Sequence, residues 1–237
     1  MNESIKKDQI IHSYNEKHAQ TDQFLPDEGL YRWVLKRCQP QKGMALLDVA
    51  CGIGMMVLQG SRKGLKCQGV DISFQAIKRG RNELALQNIS VADGEILPYP
   101  RNSFDIVTNI GSLEHFVSLE NGLEEMRRVV KQDGTVAIYL PNSYYLIDVL
   151  WEVGRTGYGP SHSQIIERFA TFGEWRDVLE AHGFSVMRAY GYNFQFPRTQ
   201  RDWQFIAQRP QRLLKALTSV FIPFNLSYSF LFICSPK

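Results

Sequence analysis

Two short stretches of this sequence combine carboxylates with small residues at a spacing that suits ligand binding. The first, LLDVACGIG, contains Asp48 and then small residues at positions 50, 52 and 54, where the backbone can approach a ligand and direct its amide N–H groups at it. The second, CQGVDIS, is an apolar run that ends at Asp71. A carboxylate at the carboxyl edge of a parallel sheet is well placed for a ribose diol. Together the two stretches predict a nucleoside-binding α/β fold.

An alternation of apolar strands and amphipathic helices surrounds these stretches. Strands are predicted at 44–49, 66–70, 89–92, 104–109 and 135–140, with a turn at 133–134 before the fifth. Helices are predicted between them; Leu119, Leu123 and Met126, for example, recur at helical spacing. Strands that are buried on both faces and alternate with helices are typical of a parallel, doubly wound sheet.

The flanking segments are less regular. Helices are predicted over 3–20 and after Pro26, and a further helix that ends at Gly183 precedes a strand from Phe184. Residues 193–210 show no strong period, whereas an apolar helical face over 213–221 precedes a last strand at 226–234. The pattern contains no internal repeat and indicates one domain.

Composition sets limits on the class of protein. The chain has 237 residues, of which 44% are hydrophobic, and a net charge of +3, which is too small to indicate nucleic acid by itself. Its four cysteines lack metal or redox spacing, which is typical of a reducing compartment. The polar start, MNESIKKDQ, is unlike a signal peptide, and Pro223 and Asn225 interrupt the long charge-free run near the end. We therefore expect a cytoplasmic protein.

Five motifs occur in the order and spacing of one known family. LLDVACGIG resembles the first motif of the class I S-adenosylmethionine-dependent methyltransferases, with Ala50 in place of its first glycine, and GVDIS resembles the second. VADGEILPYPRNSFDIVTNIGSLEHF, MRRVVKQDGTVAIYLPN and EWRDVLEAHGFSV resemble the motifs that follow. The likeness is strongest over 40–142 and includes the broad group that contains the quinone-biosynthesis methyltransferases.

This resemblance implies a particular fold. The fold class is α/β, with a doubly wound, mostly parallel seven-stranded sheet of the Rossmann-like methyltransferase type and an antiparallel last strand. N-terminal helices and a helical insertion before the last strand complete it. The implied organisation is a single domain over 1–237, with a helical cap at 1–39, a cofactor-binding core at 40–142, and a substrate-side lid with the final strands at 143–237.

The resemblance also implies roles for residues around the methionine and ribose portions of S-adenosylmethionine. Asp48 would orient the methionine amino group, directly or through water. Ala50, Gly52 and Gly54 would leave room for the methionine portion, and Asp71 would accept both ribose hydroxyls. As an alternative, the glycines could be turn residues and Asp71 a helix-capping acid. An NAD(P) site would need a third glycine at position 57, where this chain has Val57.

Further residues are implied at the adenine end. Ile72 would pack on the adenine ring. Asp93 would accept the adenine amino hydrogen, with the backbone of Gly94 and Glu95 nearby. The alternative for Asp93 is a turn residue that only ends a strand.

The reacting centre is implied at the end of the fourth strand. Asn109 and Ile110 would line it, and Tyr14 would fold over the methionine end from the leading helix. A hydroxyl acceptor would want a general base, for which His115 and His162 are the candidates. No metal site is predicted, because the neighbours Glu114 and His115 would diverge on any regular element.

The acceptor is harder to predict. The stretch Asn109-Ile110-Gly111-Ser112 lacks the prolines of base N-methyltransferases, which argues against methylation of base amino groups. From Arg188 to Lys215, however, six basic residues are interleaved with aromatic ones. This arm has three interpretations: a lid with a solvated basic rim, a lipid or membrane surface that includes the amphipathic segment 209–221, or a platform for single-stranded RNA.

The expected function is that of an S-adenosylmethionine-dependent methyltransferase, an enzyme that transfers a methyl group to an oxygen or carbon of a small or amphiphilic acceptor, such as a lipid or quinone. The alternatives are an RNA methyltransferase that uses 188–215 and a cofactor-binding scaffold without catalysis. The expected partners are the acceptor and, through 209–221, a membrane surface. Nucleic acid is not an expected partner.

Overall fold

The computed structural model of the chain describes residues 3–19, 27–159, 164–193, 200–207, 217–218 and 221–237. The strands are Ala45–Val49 (β1), Lys66–Asp71 (β2), Ile89–Val91 (β3), Phe104–Ile110 (β4), Val130–Pro141 (β5), Phe184–Tyr192 (β6) and Ser229–Pro236 (β7). The helices are Glu3–Ala19 (α1), Glu28–Arg37 (α2), Met55–Arg62 (α3), Phe74–Leu84 (α4), Leu119–Val129 (α5), Leu146–Asp148 (α6), Gly154–Thr156 (α7), Phe172–Ala181 (α8) and Gln200–Ala207 (α9). Short turns of 3-10 helix at Leu113–His115 and Phe224–Leu226, and of π-helix at Val149–Val153, lie between them.

All seven strands form one sheet in the order β3-β2-β1-β4-β5-β7-β6. Strands β1 to β5 run parallel, and β7 inserts antiparallel between β5 and β6. The structure therefore confirms the predicted doubly wound, mostly parallel sheet with an antiparallel last strand. The carboxyl ends of the parallel strands come together at one edge, where such folds bind ligands.

Two apolar clusters sandwich the sheet. Neighbouring residues of β1 face opposite sides, so that Leu46 belongs to one cluster and Leu47 to the other. The helices α2, α3 and α4 cover the first side, and α5 and α8 cover the second. This two-sided burial fixes β1 firmly and hence fixes the turn that follows it.

The structure departs from one local prediction and adds one helix. The turn expected at 133–134 lies inside the long strand β5, because the ladder with β4 shifts register between Phe104 and Ile106 and absorbs the extra residues as an irregularity. The segment 193–210, in which the sequence shows no strong period, contains α9. Asp202 anchors this helix through a two-pronged ion pair with Arg32 of α2, at 2.7 and 3.0 Å. A tertiary contact thus selects a helix that periodicity does not reveal.

Two other expectations concern the end of the chain. The predicted amphipathic segment 209–221 lies outside the described residues, except for 217–218 and 221. Among the residues that the structure describes, no helix has the length and apolar character required to cross a membrane.

Candidate functional site

A cavity of about 240 Å³ opens at the carboxyl ends of the parallel strands, and α1 forms one of its walls. The predicted residues that line it are Tyr14, Ala50, Gly52, Asp71, Ile72, Asp93, Gly94, Glu95, Ile110 and His115. Asp48, Gly54 and Asn109 do not line it. The other predicted base, His162, lies outside the described residues. One cavity therefore joins most of the predicted site residues, although their roles stay predictions.

Asp71 is held in one orientation by two backbone amides. Gly52 N donates to its Oδ2 at 2.7 Å, and Ser73 N donates to its Oδ1 at 2.8 Å. Burial raises the pKa of the Asp71 carboxyl, while these two amide hydrogen bonds oppose the rise. Because an ionised carboxylate has about four acceptor positions, the two amides leave capacity for a ligand at the cavity edge.

The turn after β1 depends on backbone that few residues adopt. Gly54 has φ = 90°, and a Cβ there would lie 2.5 Å from Leu86 Cδ1, so only glycine fits. Ala50 has φ = 58°, in the left-handed region that normally favours glycine. Ala50 thus replaces the glycine of the family motif, but its backbone keeps the left-handed conformation that a glycine would adopt there.

Asp48 and Asn109 are buried behind the cavity wall and form hydrogen bonds there. Thr108 Oγ1 donates to Asp48 Oδ1 at 2.6 Å, and burial raises the pKa of the Asp48 carboxyl to about 7. Asn109 Nδ2 donates to Val49 O at 3.1 Å, and its Oδ1 accepts from Leu113 N at 2.9 Å. These bonds tie the ends of β1 and β4 to the turn at 113–115, so both residues shape the cavity from behind.

The loop after β3 is tied to α1. Lys7 Nζ forms ion pairs with Asp93 and, at 3.0 Å, with Glu95 Oε2. Glu95 is buried, and its second oxygen accepts from Val117 N at 2.8 Å. Gly94 leaves space for an aromatic wall, because a Cβ there would lie 2.7 Å from Phe116 Cζ.

One face of α1 supplies wall residues, of which the sequence analysis named Tyr14 and not the others. Lys7, Ile10, Tyr14, Lys17 and His18 follow one another at three, four or one residues, which places all of them on the cavity side. Burial, reinforced by the nearby cations of Arg79 and Lys17, lowers the pKa of His18 to about 4. Helical periodicity places these residues of α1 on one face of the helix. The sequence does not show which part of the protein that face contacts. Tyr31 and Val117 are further unpredicted wall residues, and Ser112, Phe116 and Gln164 also line the cavity.

His115 lies at the end of the cavity next to the segment 164–166. Its Nδ1 lies 2.7 Å from Ile166 O. A carbonyl only accepts, so Nδ1 carries the proton and Nε2 is the basic nitrogen of the neutral ring. Tyr14 approaches from α1, with its ring centroid 6.5 Å from that of His115 and its hydroxyl donating to Gln164 Oε1 at 2.8 Å.

The expected divergence of Glu114 and His115 is wrong. Glu114 Oε1 lies 3.7 Å from His115 Nε2. The two residues share a turn of 3-10 helix, which is tighter than a regular helix and is fixed from outside by Arg168. The Arg168 guanidinium donates to the carbonyl oxygens of Glu114, Phe116 and Val117, at 3.2, 2.7 and 3.2 Å.

Comparison with known proteins shows similarity to methyltransferases. Residues 47–138 match the family described as "Methyltransferase domain". The chain is 27% identical over 168 residues to an uncharacterized methyltransferase, YcgJ, of Bacillus subtilis (strain 168), which covers 68% of this chain and 64% of that protein. It is 33% identical over 105 residues to a demethylmenaquinone methyltransferase of Corynebacterium kroppenstedtii, covering 44% of each chain.

The fold is shared more widely than the sequence. The crystal structure of the [4+2]-cyclase SpnF superposes with a TM-score of 0.63 at 19% identity, covering 89% of this chain and 80% of that one. The matches to curated relatives span between 35% and 65% of those proteins' own length.

Proposed function

The chain belongs to the class I S-adenosylmethionine-dependent methyltransferases, and we propose that it is an enzyme that transfers a methyl group to an oxygen or carbon of a small or amphiphilic acceptor. The observation that carries this proposal is a single cavity with the fixed Asp71 carboxylate in its wall and the basic nitrogen of His115 at the end next to 164–166. The first group suits a nucleoside, and the second suits the removal of a proton.

The residues present fit S-adenosylmethionine. Asp71 offers acceptor positions for the ribose hydroxyls, and Ile72 offers an apolar contact for adenine. At Gly52 the wall has no side chain, so the backbone itself faces the cavity and leaves room for the methionine portion. Asp93 would accept from the adenine amino group while it remains paired with Lys7. Asp48 would act through water, because it does not line the cavity.

When bound, the cofactor supplies a methyl group already activated by its sulfonium. The protein then mainly has to align the acceptor and exclude water, and such positioning can lower a barrier by roughly 7–11 kcal/mol. Residues of α1 form one wall of the cavity, and the Tyr14 ring lies 6.5 Å from the His115 ring at one end. His115 Nε2 would hold the proton that leaves a hydroxyl acceptor.

The wall also supports an amphiphilic acceptor. Ile10 and Phe116 contribute apolar surface, whereas Tyr14, His115 and Gln164 contribute polar groups at one end. The similarity to a demethylmenaquinone methyltransferase supports an acceptor that combines an apolar body with a reactive polar ring. Exposed apolar side chains support a peripheral membrane contact through 209–221, since Leu217 is 50% exposed and Phe221 82%.

Two aromatic residues in the described part of the basic arm favour a small acceptor over RNA, whereas a third, Trp203, is 51% exposed. Tyr192 is buried, and its hydroxyl donates to Asp27 Oδ2 at 3.0 Å. Tyr190 packs edge-on against Trp33, with ring centroids 6.2 Å apart, and beneath the Arg37 guanidinium. These two aromatic faces serve the contact with α2, so they do not offer stacking platforms for bases.

Two measurements test the proposal. Calorimetry with S-adenosylhomocysteine should show binding that Asp71→Asn weakens about tenfold to a hundredfold, because a hydrogen bond to a charged group contributes about 1.5–3 kcal/mol. Asp133→Asn is the matched control, since Asp133 is exposed on β5. Equal affinities in the two folded variants would refute the cofactor site.

Transfer of a labelled methyl group into fractionated extract then tests the reaction. Label in lipid or small-molecule fractions supports the proposal, and label in RNA contradicts the acceptor. Intact cofactor binding with no transfer to any fraction favours the scaffold alternative.

A further inference from the structure

Glu114 is a buried acid next to the acceptor end of the cavity. It is only 5% exposed, and among the described residues its Oε2 has no hydrogen-bond partner. Its other oxygen would lie 3.9 Å from a Cβ on Gly111, a residue of the cavity wall. Because buried polar atoms in folded proteins are nearly always paired, this oxygen is one that water or a molecule bound in the cavity can pair with.

The geometry of His115 gives this acid a partner. The ring is fixed by the contact of Nδ1 with Ile166 O at 2.7 Å, so Nε2 is the nitrogen that accepts a proton. That same Nε2 lies 3.7 Å from Glu114 Oε1. A carboxylate at this distance stabilises a positive charge on the imidazole ring.

We propose, resting on the methyl transfer proposed above, that Glu114 and His115 form a proton-accepting pair that selects a hydroxyl acceptor. His115 Nε2 takes the proton of the hydroxyl, and the Glu114 carboxylate stabilises the imidazolium that forms. The acceptor oxygen bonds to the methyl carbon while the carbon–sulfur bond of the sulfonium breaks and leaves its electron pair on sulfur. The imidazolium afterwards releases its proton to solvent. His115 is the catalytic residue, and Glu114 is a positioning residue that acts through it.

The groups that face Glu114 favour its neutral form at neutral pH. Burial is the largest cause and raises the pKa of the Glu114 carboxyl to about 8, and the negative charge of Glu167 adds to the rise. The negative charge of Glu114 in turn contributes to the raised pKa of the Tyr14 and Tyr139 hydroxyls. The backbone amide of Glu114 opposes the rise, and the Arg168 guanidinium is directed at backbone carbonyls.

The pair should therefore gain basicity as the pH rises. Below pH 8 the Glu114 carboxyl is protonated and cannot stabilise an imidazolium, whereas above it the carboxylate can. We expect the rate of methyl transfer to rise through about pH 8, and we expect this rise to disappear in Glu114→Gln.

An NMR titration of the His115 ring tests the pair without any acceptor. In the unmodified protein the Cε1–H resonance of His115, assigned with His115→Gln, should show a step near pH 8 that reports ionisation of Glu114. The step should be absent in Glu114→Gln and present in Glu124→Gln, a control that removes an exposed carboxylate from α5. Calorimetric affinity for S-adenosylhomocysteine should stay within about twofold in both variants.

The outcomes separate the two proposals. A missing step in the unmodified protein, or a step that persists in folded Glu114→Gln, overturns the pair whatever the enzyme does. The first of these results is measured on the unmodified protein and does not depend on the folding of Glu114→Gln. Conversely, a coupled titration without methyl transfer to any fraction refutes the proposed function and leaves the electrostatic coupling established.

Discussion

Lys7 Nζ lies 3.0 Å from Glu95 Oε2 and is also paired with Asp93, so one lysine ties the first helix to the loop after β3. A second tie lies near the other end of the helix, where Asn15 Oδ1 accepts from Ser73 Oγ at 2.9 Å and from Gln75 N at 3.1 Å. The first tie ends on the loop that lines the cavity, and the second ends at the start of α4, next to Ile72 of the cavity wall. The wall formed by α1 is thus fastened to the elements proposed to bind the cofactor.

Lys7→Met should lower the free energy of unfolding by about 1–3 kcal/mol, because the buried Glu95 carboxylate loses its cation. Lys36→Met is the matched control, since Lys36 is exposed on α2, and we expect a change within about 0.5 kcal/mol. Urea denaturation of both variants measures the difference. Equal midpoints and slopes for the two would show that the ion pairs contribute nothing to stability.

Ala50→Gly should raise the free energy of unfolding by about 0.5–1 kcal/mol. The left-handed conformation costs an L residue about 1–2 kcal/mol, and the greater freedom of glycine in the unfolded chain returns part of that gain. Ala85, with φ = 54° after α4, should respond in the same direction, whereas Ala181→Gly at the end of α8 should lower stability. Thermal or urea unfolding of the three variants checks the signs. A loss of stability in Ala50→Gly would mean that the turn is not strained.

Much of the scaffold follows from local sequence. Strands buried on both faces read as continuous apolar runs, and Ser73 is of a type that favours helix starts, where its Oγ accepts from Ala76 N at 3.2 Å. The irregularity in β5 and the helix α9 were not predictable in this way. The first depends on how the β4 ladder shifts register, and the second on an ion pair between Arg32 and Asp202, 170 residues apart.

The candidate site likewise contains residues that local sequence could predict and residues that it could not. Gly52 and Asp71 could be placed at the cavity from their positions at strand ends, because parallel strands deliver their ends to one edge. The contribution of α1 could not be read from spacing, since a helix face gives no sign of its neighbour, and Tyr14 was implied only by the family resemblance. The approach of Glu114 to His115 required knowledge that the two share a tight turn held by Arg168. Sequence neighbours diverge on regular elements and can converge on a turn.

Asp48→Asn should make stability less dependent on pH. Burial raises the pKa of the Asp48 carboxyl from 3.8 to about 7, so the folded state holds a proton that the unfolded state releases between those values. Stability from this group is present below pH 4 and is lost as the pH rises toward 7. Asparagine keeps an acceptor for Thr108 Oγ1 and cannot ionise.

The expected size of this effect follows from the burial of Asp48, which is 2% exposed. Relative to Asp48→Asn, the unmodified protein should lose on the order of 2–4 kcal/mol between pH 4 and pH 8. Denaturant unfolding of both proteins across that range measures the difference. A difference that stays constant, or that grows in favour of the unmodified protein at high pH, would show that Asp48 is ionised in the folded state.

Arg168→Lys should disturb the turn that carries Glu114 and His115. The planar guanidinium donates to three carbonyl oxygens at once, and a lysine ammonium at the end of a flexible chain cannot reproduce that fork. We expect a loss of about 1–2 kcal/mol in unfolding free energy, since one or two hydrogen bonds to a charged group are given up.

The same variant should also lose the pH 8 step at the His115 ring, because Glu114 and His115 no longer keep their separation. Arg176→Lys, on the exposed side of α8, is the control and should leave both stability and titration unchanged. The decisive observation is the joint response. If Arg168→Lys destabilises the protein while the step persists, Arg168 stabilises the fold without positioning the pair, and the 3.7 Å approach is maintained by the turn itself.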